Sequence, residues 1–386
     1  MSVTAPLGFV AAGCHAGIKR SRHDMALLVT EDRRPVPCAA VFTQNLFAAP
    51  PVTYDRALLA ASGGYAAGVV VNSGNANAGT GAPGLRDSTA MGTATAAALR
   101  IDVADVLVCS TGIIGTPLPM APILAAIPTL AGTLSVAGGT DAAQGILTTD
   151  HVAKEVLIEG STFTIGGMAK GCGMIAPNMA TMLAFLTTDA DVPRDTLQRI
   201  LSEASNRTFN TLNVDGATST NDTAMLFASG RRGPADADEF ADAVFRACDE
   251  LTTRMARDAE GMTRIARMKV VGAASDAEAR TAAKSIAENN LVKCSWYGSD
   301  PYWGRLLAAA GSCGVAMDVD RSRVAYGGIV VAQGGVGIDH DGVALARHMM
   351  GDEIEILVDL GSGGGIGHVI GIDLGPGYIQ ENSKTS

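Results

Sequence analysis

The sequence predicts a mixed α/β protein with several sheets, and two observations support this prediction. Short apolar runs rich in β-branched residues, such as residues 68–71, alternate with alanine-rich stretches of helical length, such as residues 88–100. In addition, 47% of the 386 residues are hydrophobic, but only 4% are aromatic and 46 are glycine. A core of this composition contains small side chains, which allow neighbouring backbones to approach closely. The length is sufficient for one large or two medium domains.

The elements follow in order from these local patterns. Short apolar runs predict strands at residues 68–71, 103–109, 162–165, 181–186, 323–331, 353–358 and 368–374. Alanine-rich or helically spaced stretches predict helices at residues 88–100, 122–131, 196–209, 236–259 and 276–289. The glycine run at residues 361–367 stands between two predicted strands. We therefore expect a hairpin turn there, because a nucleotide-binding loop would lead into a helix.

Composition and charge exclude several classes of protein. The formal net charge of -10 argues against a nucleic-acid or anionic-membrane partner. The seven cysteines are scattered and form no CxxC pair, which indicates reduced thiols rather than a disulfide framework. The six histidines show no metal-binding spacing, so neither a metal nor another cofactor is expected. With no leader segment and no apolar run of about 18 residues, we expect a soluble, cytoplasmic protein.

One segment, residues 168–190, concentrates residues that carry chemistry. Its glycines and Pro177 bend the backbone before the dipeptide Ala180-Thr181 and an apolar strand. Such a turn can hold one hydroxyl rigidly at the start of a strand. On the local pattern alone, an ordinary loop before a buried strand is the simpler interpretation, because threonine is common in strands.

The same segment resembles the self-cleavage site of the ornithine acetyltransferase family, also called the glutamate N-acetyltransferase family. Residues 170–183 read Lys-Gly-Cys-Gly-Met-Ile-Ala-Pro-Asn-Met-Ala-Thr-Met-Leu and meet the fixed positions of the family pattern. Other family segments follow in the same order at residues 71–79, 109–115, 148–150, 219–223, 258–263 and 298–305. The resemblance covers nearly the whole chain. It implies an α/β layered sandwich of stacked sheets and helices, of the self-processing N-terminal-nucleophile type.

The resemblance also implies cleavage of the chain between Ala180 and Thr181. The products are an N-terminal chain of residues 1–180 and a C-terminal chain of residues 181–386, and the halves are expected to assemble as α2β2. Cleavage frees an α-amine on the same residue as the hydroxyl. Because an α-amine has a pKa of about 7.7–8.0, it can accept the hydroxyl proton near neutral pH. No histidine is then needed as the base.

Two further residues are implied to stabilise the tetrahedral intermediate of acyl transfer. Thr111 contributes a hydroxyl or an amide, and Gly112 contributes its backbone amide, to the oxyanion. By spacing alone, the sequence Ser-Thr-Gly at residues 110–112 is only a turn.

Residues for an amino-acid substrate are implied around the nucleophile. Lys170 suits a substrate carboxylate and Glu260 suits an ammonium group, although either could instead be a solvated surface residue. Thr148 is expected to donate a hydroxyl to the substrate, and Thr149 is a rival for that role. Thr181 itself also contacts the substrate.

The C-terminus supplies the remaining substrate-binding residues, Asn382 and Ser386. Here the sequence departs from the family, because the tail is about one residue short and lacks a tyrosine after the asparagine. Thr385 could therefore replace Ser386. A second departure is Tyr302, where the family usually has asparagine.

The resemblance implies a ping-pong reaction without a cofactor. Thr181 takes the acetyl group of N2-acetylornithine and passes it to glutamate, which serves cyclic arginine biosynthesis, and some members also use acetyl-CoA. Two alternatives from other classes remain open: a hydrolase related to self-processing aminopeptidases, and a non-catalytic binding protein whose chain stays intact. A secondary-metabolism acetyltransferase with another acceptor is a third.

Overall fold

The computed structural model describes residues 3–176 and 182–383. Its strands, numbered in chain order, are β1 (Phe9–Cys14), β2 (Met25–Thr30), β3 (Val36–Phe42), β4 (Tyr65–Ala66), β5 (Gly68–Asn75), β6 (Val106–Ile113), β7 (Lys154–Glu159), β8 (Thr164–Lys170), β9 (Leu183–Thr188), β10 (Leu212–Asn213), β11 (Thr223–Ala228), β12 (Ile265–Ala273), β13 (Arg323–Tyr326), β14 (Ile329–Gln333), β15 (Val336–Gly337), β16 (Glu353–Asp359) and β17 (Gly365–Ile372).

The helices alternate with these strands, as the pattern of the sequence predicts. They are α1 (Pro50–Ala61), α2 (Gly81–Leu99), α3 (Met120–Gly132), α4 (Gly139–Gly145), α5 (Arg194–Arg207), α6 (Ala237–Arg257), α7 (Asp276–Glu288), α8 (Asn290–Tyr297), α9 (Trp303–Gly311), α10 (Gly342–Met349) and α11 (Pro376–Asn382). Among these described helices, none has both the length and the hydropathy needed to cross a membrane.

Within the described ranges the strands form three sheets. The four-stranded sheet has the order β1-β2-β5-β6, and the six-stranded sheet has the order β4-β3-β11-β9-β8-β7. The seven-stranded sheet has the order β10-β17-β12-β16-β13-β14-β15.

The four- and six-stranded sheets pack face to face, and strand alternation explains how. In β9, Leu183 and Phe185 belong to the core between the two sheets, whereas Ala184 and Leu186 pack with α5 and α6. In β5, Val69 points into the core between the sheets. Its neighbour Val70 packs with residues of α2 and α3. The order is therefore helices, sheet, sheet, helices, and the predicted α/β layered sandwich is confirmed.

The seven-stranded sheet has its own core, which α7, α8, α9 and α10 cover. Trp296 and Leu306 are fully buried there and pack with the strand residue Val358. Several positions in this core are alanines, including Ala282 and Ala283 on α7. These small residues let α7 lie close to β17. A Cβ added to Gly367 of β17 would lie only 2.6 Å from the backbone of Ala279 on α7.

The helices predicted at residues 236–259 and 276–289 are confirmed as α6 and α7. The helix α6 begins where Asp236 accepts hydrogen bonds from two backbone amides of its first turn. It ends at Arg257, three residues before Glu260, so the helix end fixes the position of that carboxylate.

The predicted hairpin turn at residues 361–367 is wrong. The flanking strands β16 and β17 are not neighbours, because β12 lies between them and pairs with both, parallel to β16 and antiparallel to β17. A hairpin requires consecutive strands to pair, and nothing in the local sequence shows that an earlier strand occupies the intervening place.

The glycine-rich stretch at residues 166–174 is also more regular than its composition suggests. Its first half, up to Lys170, belongs to the buried strand β8. Glycine fits there because a side chain at Gly167 would meet Val156 of the adjacent strand β7, 2.9 Å away.

Candidate active site

The described residues on either side of the predicted cleavage bond lie where three inner strands of the six-stranded sheet, β8, β9 and β11, begin or end. These strand ends form one edge of the sheet, which is the edge meant below. Lys170, the last residue of β8, pairs with Leu183 at the start of β9, and Leu183 also pairs with Thr223 at the start of β11. The predicted cleavage residues, Ala180 and Thr181, lie outside the described residues. Because Met182 is covalently bonded to Thr181, the surroundings of Met182 define the edge at which a nucleophile would act.

The segment 219–223 connects Met182 to the end of β6. The Asp222 carboxylate accepts a hydrogen bond from the Met182 amide at 2.9 Å, and the Met182 carbonyl accepts one from the Thr223 amide at 3.1 Å. The Asn221 side-chain amide donates to the Ser110 carbonyl at 2.8 Å. This segment is a family motif in the sequence, but only the structure reveals what its polar residues contact.

Asp222 is the least expected group at this edge. It is fully buried, and its second carboxylate oxygen has no hydrogen-bond partner in the described part of the chain. Burial raises the pKa of Asp222 well above its ordinary value. The sequence contains no local signal that distinguishes this aspartate from an exposed one.

The predicted oxyanion residues, Thr111 and Gly112, are next to Ser110 near the end of β6. Thr111 is buried, and its hydroxyl has no hydrogen-bond partner among residues 3–176 and 182–383. Gly112 has a φ of 136° and pairs with Gly74 of β5. A Cβ added to Gly112 would lie 2.2 Å from the Gly74 carbonyl carbon, so only glycine fits. The arrangement leaves a free hydroxyl beside a kinked backbone.

Lys170 is buried, contrary to the alternative of a solvated surface lysine. Its ammonium is 4.0 Å from an oxygen of Asp150 and makes no hydrogen bond within the described residues. A buried ammonium has three donors to satisfy, so this one is suited to an anionic ligand. The aspartate next to the predicted Thr148 and Thr149 is thus the nearest anion to Lys170.

Asp150 joins this lysine to a second buried cation. One of its oxygens is 2.5 Å from the Lys154 ammonium, and Lys154 is also 2.5 Å from Asp258. Although burial tends to raise the pKa of Asp150, Lys170 and Lys154 lower it well below its ordinary value. Asp150 is therefore an anion at neutral pH, and it keeps Lys170 in an electrostatically fixed place.

Glu260 is also buried, and two predicted partners contact it. Thr149 donates its hydroxyl to one carboxylate oxygen at 2.7 Å, and the side-chain amide of Asn382 donates to the other at 2.8 Å. The Glu260 amide donates to the carbonyl of Cys172 at 2.8 Å, so the carboxylate is held against the chain that follows Lys170. The exposed-carboxylate alternative for Glu260 is thus wrong.

The two adjacent threonines have different partners. Thr148 donates both its amide and its hydroxyl to Asp150, at 3.0 and 3.3 Å. Thr149 is instead directed to Glu260. The two neighbouring threonines therefore contact different carboxylates of the site.

Asp215 connects the C-terminal helix α11 to the segment before the predicted cleavage bond. It accepts hydrogen bonds from the amides of Met174 and Ile175, at 2.6 and 3.0 Å, and from the Tyr378 hydroxyl at 3.1 Å. This contact places Asn382, the last residue of α11, next to Glu260. Ser386 and its rival Thr385 lie outside the described residues.

Tyr302 lies at the start of α9 and is half exposed. The Arg305 guanidinium stacks on its ring at 4.8 Å. Among the described residues, none of its contacts reaches Lys170 or Glu260.

Together these residues offer a cation without a hydrogen bond, a carboxylate, a free hydroxyl and a kinked glycine around the strand that follows the predicted nucleophile. Such a set can hold an amino acid by its charged groups and stabilise a developing oxyanion. Asp150, Lys154, Asn221 and Asp222 are the site residues that sequence reasoning missed.

Comparison with known proteins gives a consistent result. The model of the ArgJ family matches residues 10–386. The chain is 47% identical to the arginine biosynthesis bifunctional protein ArgJ of Mycolicibacterium paratuberculosis, over 100% of this chain and 96% of that protein. It is 43% identical to the protein of the same name from Streptomyces avermitilis, over 100% of both chains.

A solved structure is similar in sequence over a shorter range. It is the ornithine acetyltransferase of Mycobacterium tuberculosis in complex with ornithine, 42% identical, with a TM-score of 0.44 over 46% of this chain and 94% of that chain. The family model and the two full-length relatives confirm the resemblance inferred from the sequence motifs: this chain belongs to the ArgJ family.

Proposed function

We propose that this enzyme transfers an acetyl group from N2-acetylornithine to glutamate through an acetyl ester on Thr181. Membership of the ArgJ family and the names of its relatives, which refer to arginine biosynthesis and a bifunctional protein, support this proposal. The observation that carries it is a pair of buried, oppositely charged groups: Lys170, on the segment before the proposed nucleophile, and Glu260, whose backbone amide donates to Cys172 of that segment.

The first step is cleavage of the Ala180-Thr181 bond. The Thr181 hydroxyl attacks the Ala180 carbonyl, so that the acyl group moves from nitrogen to oxygen, and water then hydrolyses the resulting ester. The products are a carboxylate on Ala180 and a free α-amine on Thr181. The chains 1–180 and 181–386 follow from this step.

The second step is acetylation of the enzyme. The α-amine of Thr181 accepts the proton of its own hydroxyl, directly or through a water molecule, while the oxygen attacks the acetyl carbonyl of N2-acetylornithine. The hydroxyl of Thr111 and the amide of Gly112 stabilise the oxyanion. When the C–N bond breaks, the proton returns to the leaving amine, and ornithine departs.

The third step transfers the acetyl group to glutamate. The neutral amine of glutamate attacks the ester carbonyl of acetyl-Thr181, the same two donors stabilise the intermediate, and the Thr181 oxygen leaves with a proton. The products are N-acetylglutamate and free enzyme. Acetyl-CoA can replace the first donor in the same chemistry, because its thioester is also an acetyl donor.

The described geometry supports the substrate contacts of this proposal. A substrate carboxylate pairs with Lys170, whose ammonium lacks a hydrogen bond, and an ammonium group pairs with Glu260. Asn382 and Thr149 hold Glu260 in place and can also face the substrate. Thr148 and Ser386 complete the proposed contacts, and the cleaved halves are proposed to assemble as α2β2.

A denaturing gel and mass spectrometry test the proposal. We expect two fragments of 180 and 206 residues. After mixing with labelled N2-acetylornithine, the mass of the C-terminal fragment should increase by that of one acetyl group. Substitution Thr181→Ala is expected to leave one uncleaved, inactive chain. A single intact band for the unmodified protein would contradict the proposal.

The acceptor separates this proposal from its alternatives. Acetylated enzyme that releases only acetate in the presence of glutamate would favour a hydrolase. Acetylated enzyme that does not transfer its acetyl group to glutamate but does acetylate another amine would favour a secondary-metabolism acetyltransferase. Tyr302 is then the first residue to substitute.

A further inference from the structure

We infer that Lys19, on the loop between β1 and β2, is a second cation of the substrate site and binds the side-chain carboxylate of the dicarboxylic acceptor. The inference rests on the proposed function and deepens it, because it assigns a residue that distinguishes the acceptor from the donor. Nothing in the sequence motifs marks this lysine as part of the site.

The loop that carries Lys19 is held in one shape by a buried carboxylate. Asp24, which is fully buried, accepts hydrogen bonds from the amides of Ala16, Ile18 and Lys19 at 2.6, 2.8 and 2.9 Å. Gly17 contributes a further amide at 3.1 Å. Converging backbone amides of this kind fix a loop strongly, because the bonds to a charged acceptor are stronger than ordinary ones. The backbone of Lys19 is therefore preorganised.

The side chain of Lys19 contacts the neighbours of two predicted site residues, Thr148 and Gly112. Its ammonium donates to the carbonyl of Leu147 at 3.0 Å, directly before Thr148. Its stem lies on Gly74, where an added Cβ would be only 2.9 Å from the Lys19 Cγ. Since Gly74 pairs with Gly112, the lysine lies next to the backbone that the proposed oxyanion residue contacts.

The charge of Lys19 is tuned by its surroundings. Burial lowers its pKa to about 8; Arg22 and Lys170 act in the same direction, whereas Asp24 and Asp150 oppose them. Only one of its three N–H donors has a partner within the described residues. A half-buried ammonium with free donors gains most from an anionic ligand.

The chemistry of the two substrates explains why a second cation is needed. Ornithine and glutamate both carry one α-carboxylate, which Lys170 can bind, but their side chains end in opposite charges. The side-chain carboxylate of glutamate requires another cation, and Lys19, whose ammonium lies at the carbonyl directly before Thr148, is available for it. Because its pKa is about 8, Lys19 is partly neutral near that pH and repels the terminal ammonium of the donor less than an ordinary lysine would.

Acceptor preference tests this inference. Glutamine has nearly the shape of glutamate without the charge, so the ratio of kcat/KM for glutamate to that for glutamine isolates the side-chain carboxylate. In Lys19→Met we expect this ratio to fall by about tenfold or more, while KM for N2-acetylornithine changes little. Lys19→Arg should retain most of the preference. Lys269→Met, an exposed lysine on β12, is the matched control and should leave the ratio unchanged.

The wild-type enzyme provides a second test that needs no substitution. The ratio should fall as the pH rises through about 8, because Lys19 loses its proton there; the Thr181 amine affects both acceptors equally and cancels. The titratable and charged groups that face Lys19 or its loop are His15, Arg22, Asp24, Asp150 and Lys170.

A failure of the Lys19 assignment can be distinguished from a failure of the proposed function. If the wild-type enzyme transfers no acetyl group from N2-acetylornithine to either acceptor, the proposed function and this inference both fail. If transfer occurs but Lys19→Met keeps the wild-type ratio, or if the wild-type ratio is independent of pH between 7 and about 9, the assignment of Lys19 is overturned and the proposed function stands.

Discussion

Two regions of the molecule concentrate charged side chains, and they do so in opposite ways. At the edge of the sandwich, Asp150, Lys154 and Lys170 are buried, and each lysine ammonium lies within 4.0 Å of an Asp150 carboxylate oxygen. Beside the seven-stranded sheet, Lys269 of β12 and Arg280 of α7 are exposed and line a cleft of about 630 Å³. Neither of these two has an ion-pair partner in the described part of the chain.

An exposed, charged cleft does not by itself identify the site. The charges that line the cleft are hydrated and contribute little energy to position a ligand. At the sandwich edge, desolvation makes every charge depend on a specific partner, so a substrate that supplies a partner is bound and oriented. The family motifs at residues 109–115, 148–150, 219–223 and 258–263 contribute residues to this edge, whereas none of the cleft-lining residues belongs to a family motif.

The largest expected difference between the regions is in stability. Lys154→Met removes the cation between two buried aspartates, and we expect it to lower the free energy of unfolding by about 3–5 kcal/mol. Chemical denaturation monitored by circular dichroism measures this change. Lys269→Met in the cleft serves as the matched control and should alter stability by about 0.5 kcal/mol or less. Equal effects in both variants would remove the contrast between the two regions.

The next effect in size concerns substrate binding. Lys170→Met should decrease kcat/KM for both N2-acetylornithine and glutamate by about 10- to 100-fold, because the α-carboxylate of each loses a charged hydrogen bond. Lys170→Arg should recover part of the loss. This pattern differs from that of Lys19→Met, which should affect glutamate alone; identical patterns for the two lysines would show that they share one role.

The smallest expected effect is the acid dependence of stability. The pKa of Asp150 in the folded chain is below its value in the unfolded chain, so its stabilising contribution is present above about pH 3.9 and is lost as the pH falls further towards the folded pKa. Wild-type protein should therefore lose more stability than Asp150→Asn when the pH is lowered from 5 to 2. The contribution of Asp222 to the pH dependence of stability has the opposite sign, because burial raises the pKa of Asp222 and disfavours its charged form. A parallel pH dependence in the wild type and Asp150→Asn would contradict the assigned charge of Asp150.

Helices and the family could be predicted from the sequence because their signals are local. Helical periodicity marks α6 and α7 within a few residues, and the ordered motifs identify the ArgJ family over residues 10–386. The continuous apolar runs in β5 and β9 are also visible locally, and they are typical of strands that are buried on both faces. The candidate site residues Lys170 and Glu260 come from the same motifs, and Asn382 comes from the resemblance of the C-terminal tail.

Long-range contacts could not be predicted, and the hairpin at residues 361–367 shows why. Each strand next to that glycine run was predicted correctly, but the partner of each is β12, about 90 residues earlier in the chain. A local pattern records which residues prefer an extended backbone, whereas pairing is decided by how all buried faces fit together. The same reason applies to Thr149, whose contact with Glu260 spans 111 residues of sequence.

Composition, spacing and ordered motifs were therefore enough to establish the class of fold, the family and the segment in which cleavage is proposed. The burial of Lys170 and Glu260, the ion pair of Lys170 with Asp150, and the contact of Lys19 with the carbonyl before Thr148 arise only from the packed structure. Burial and charge pairing depend on distances between residues far apart in sequence, and those distances exist only once the sheets have packed.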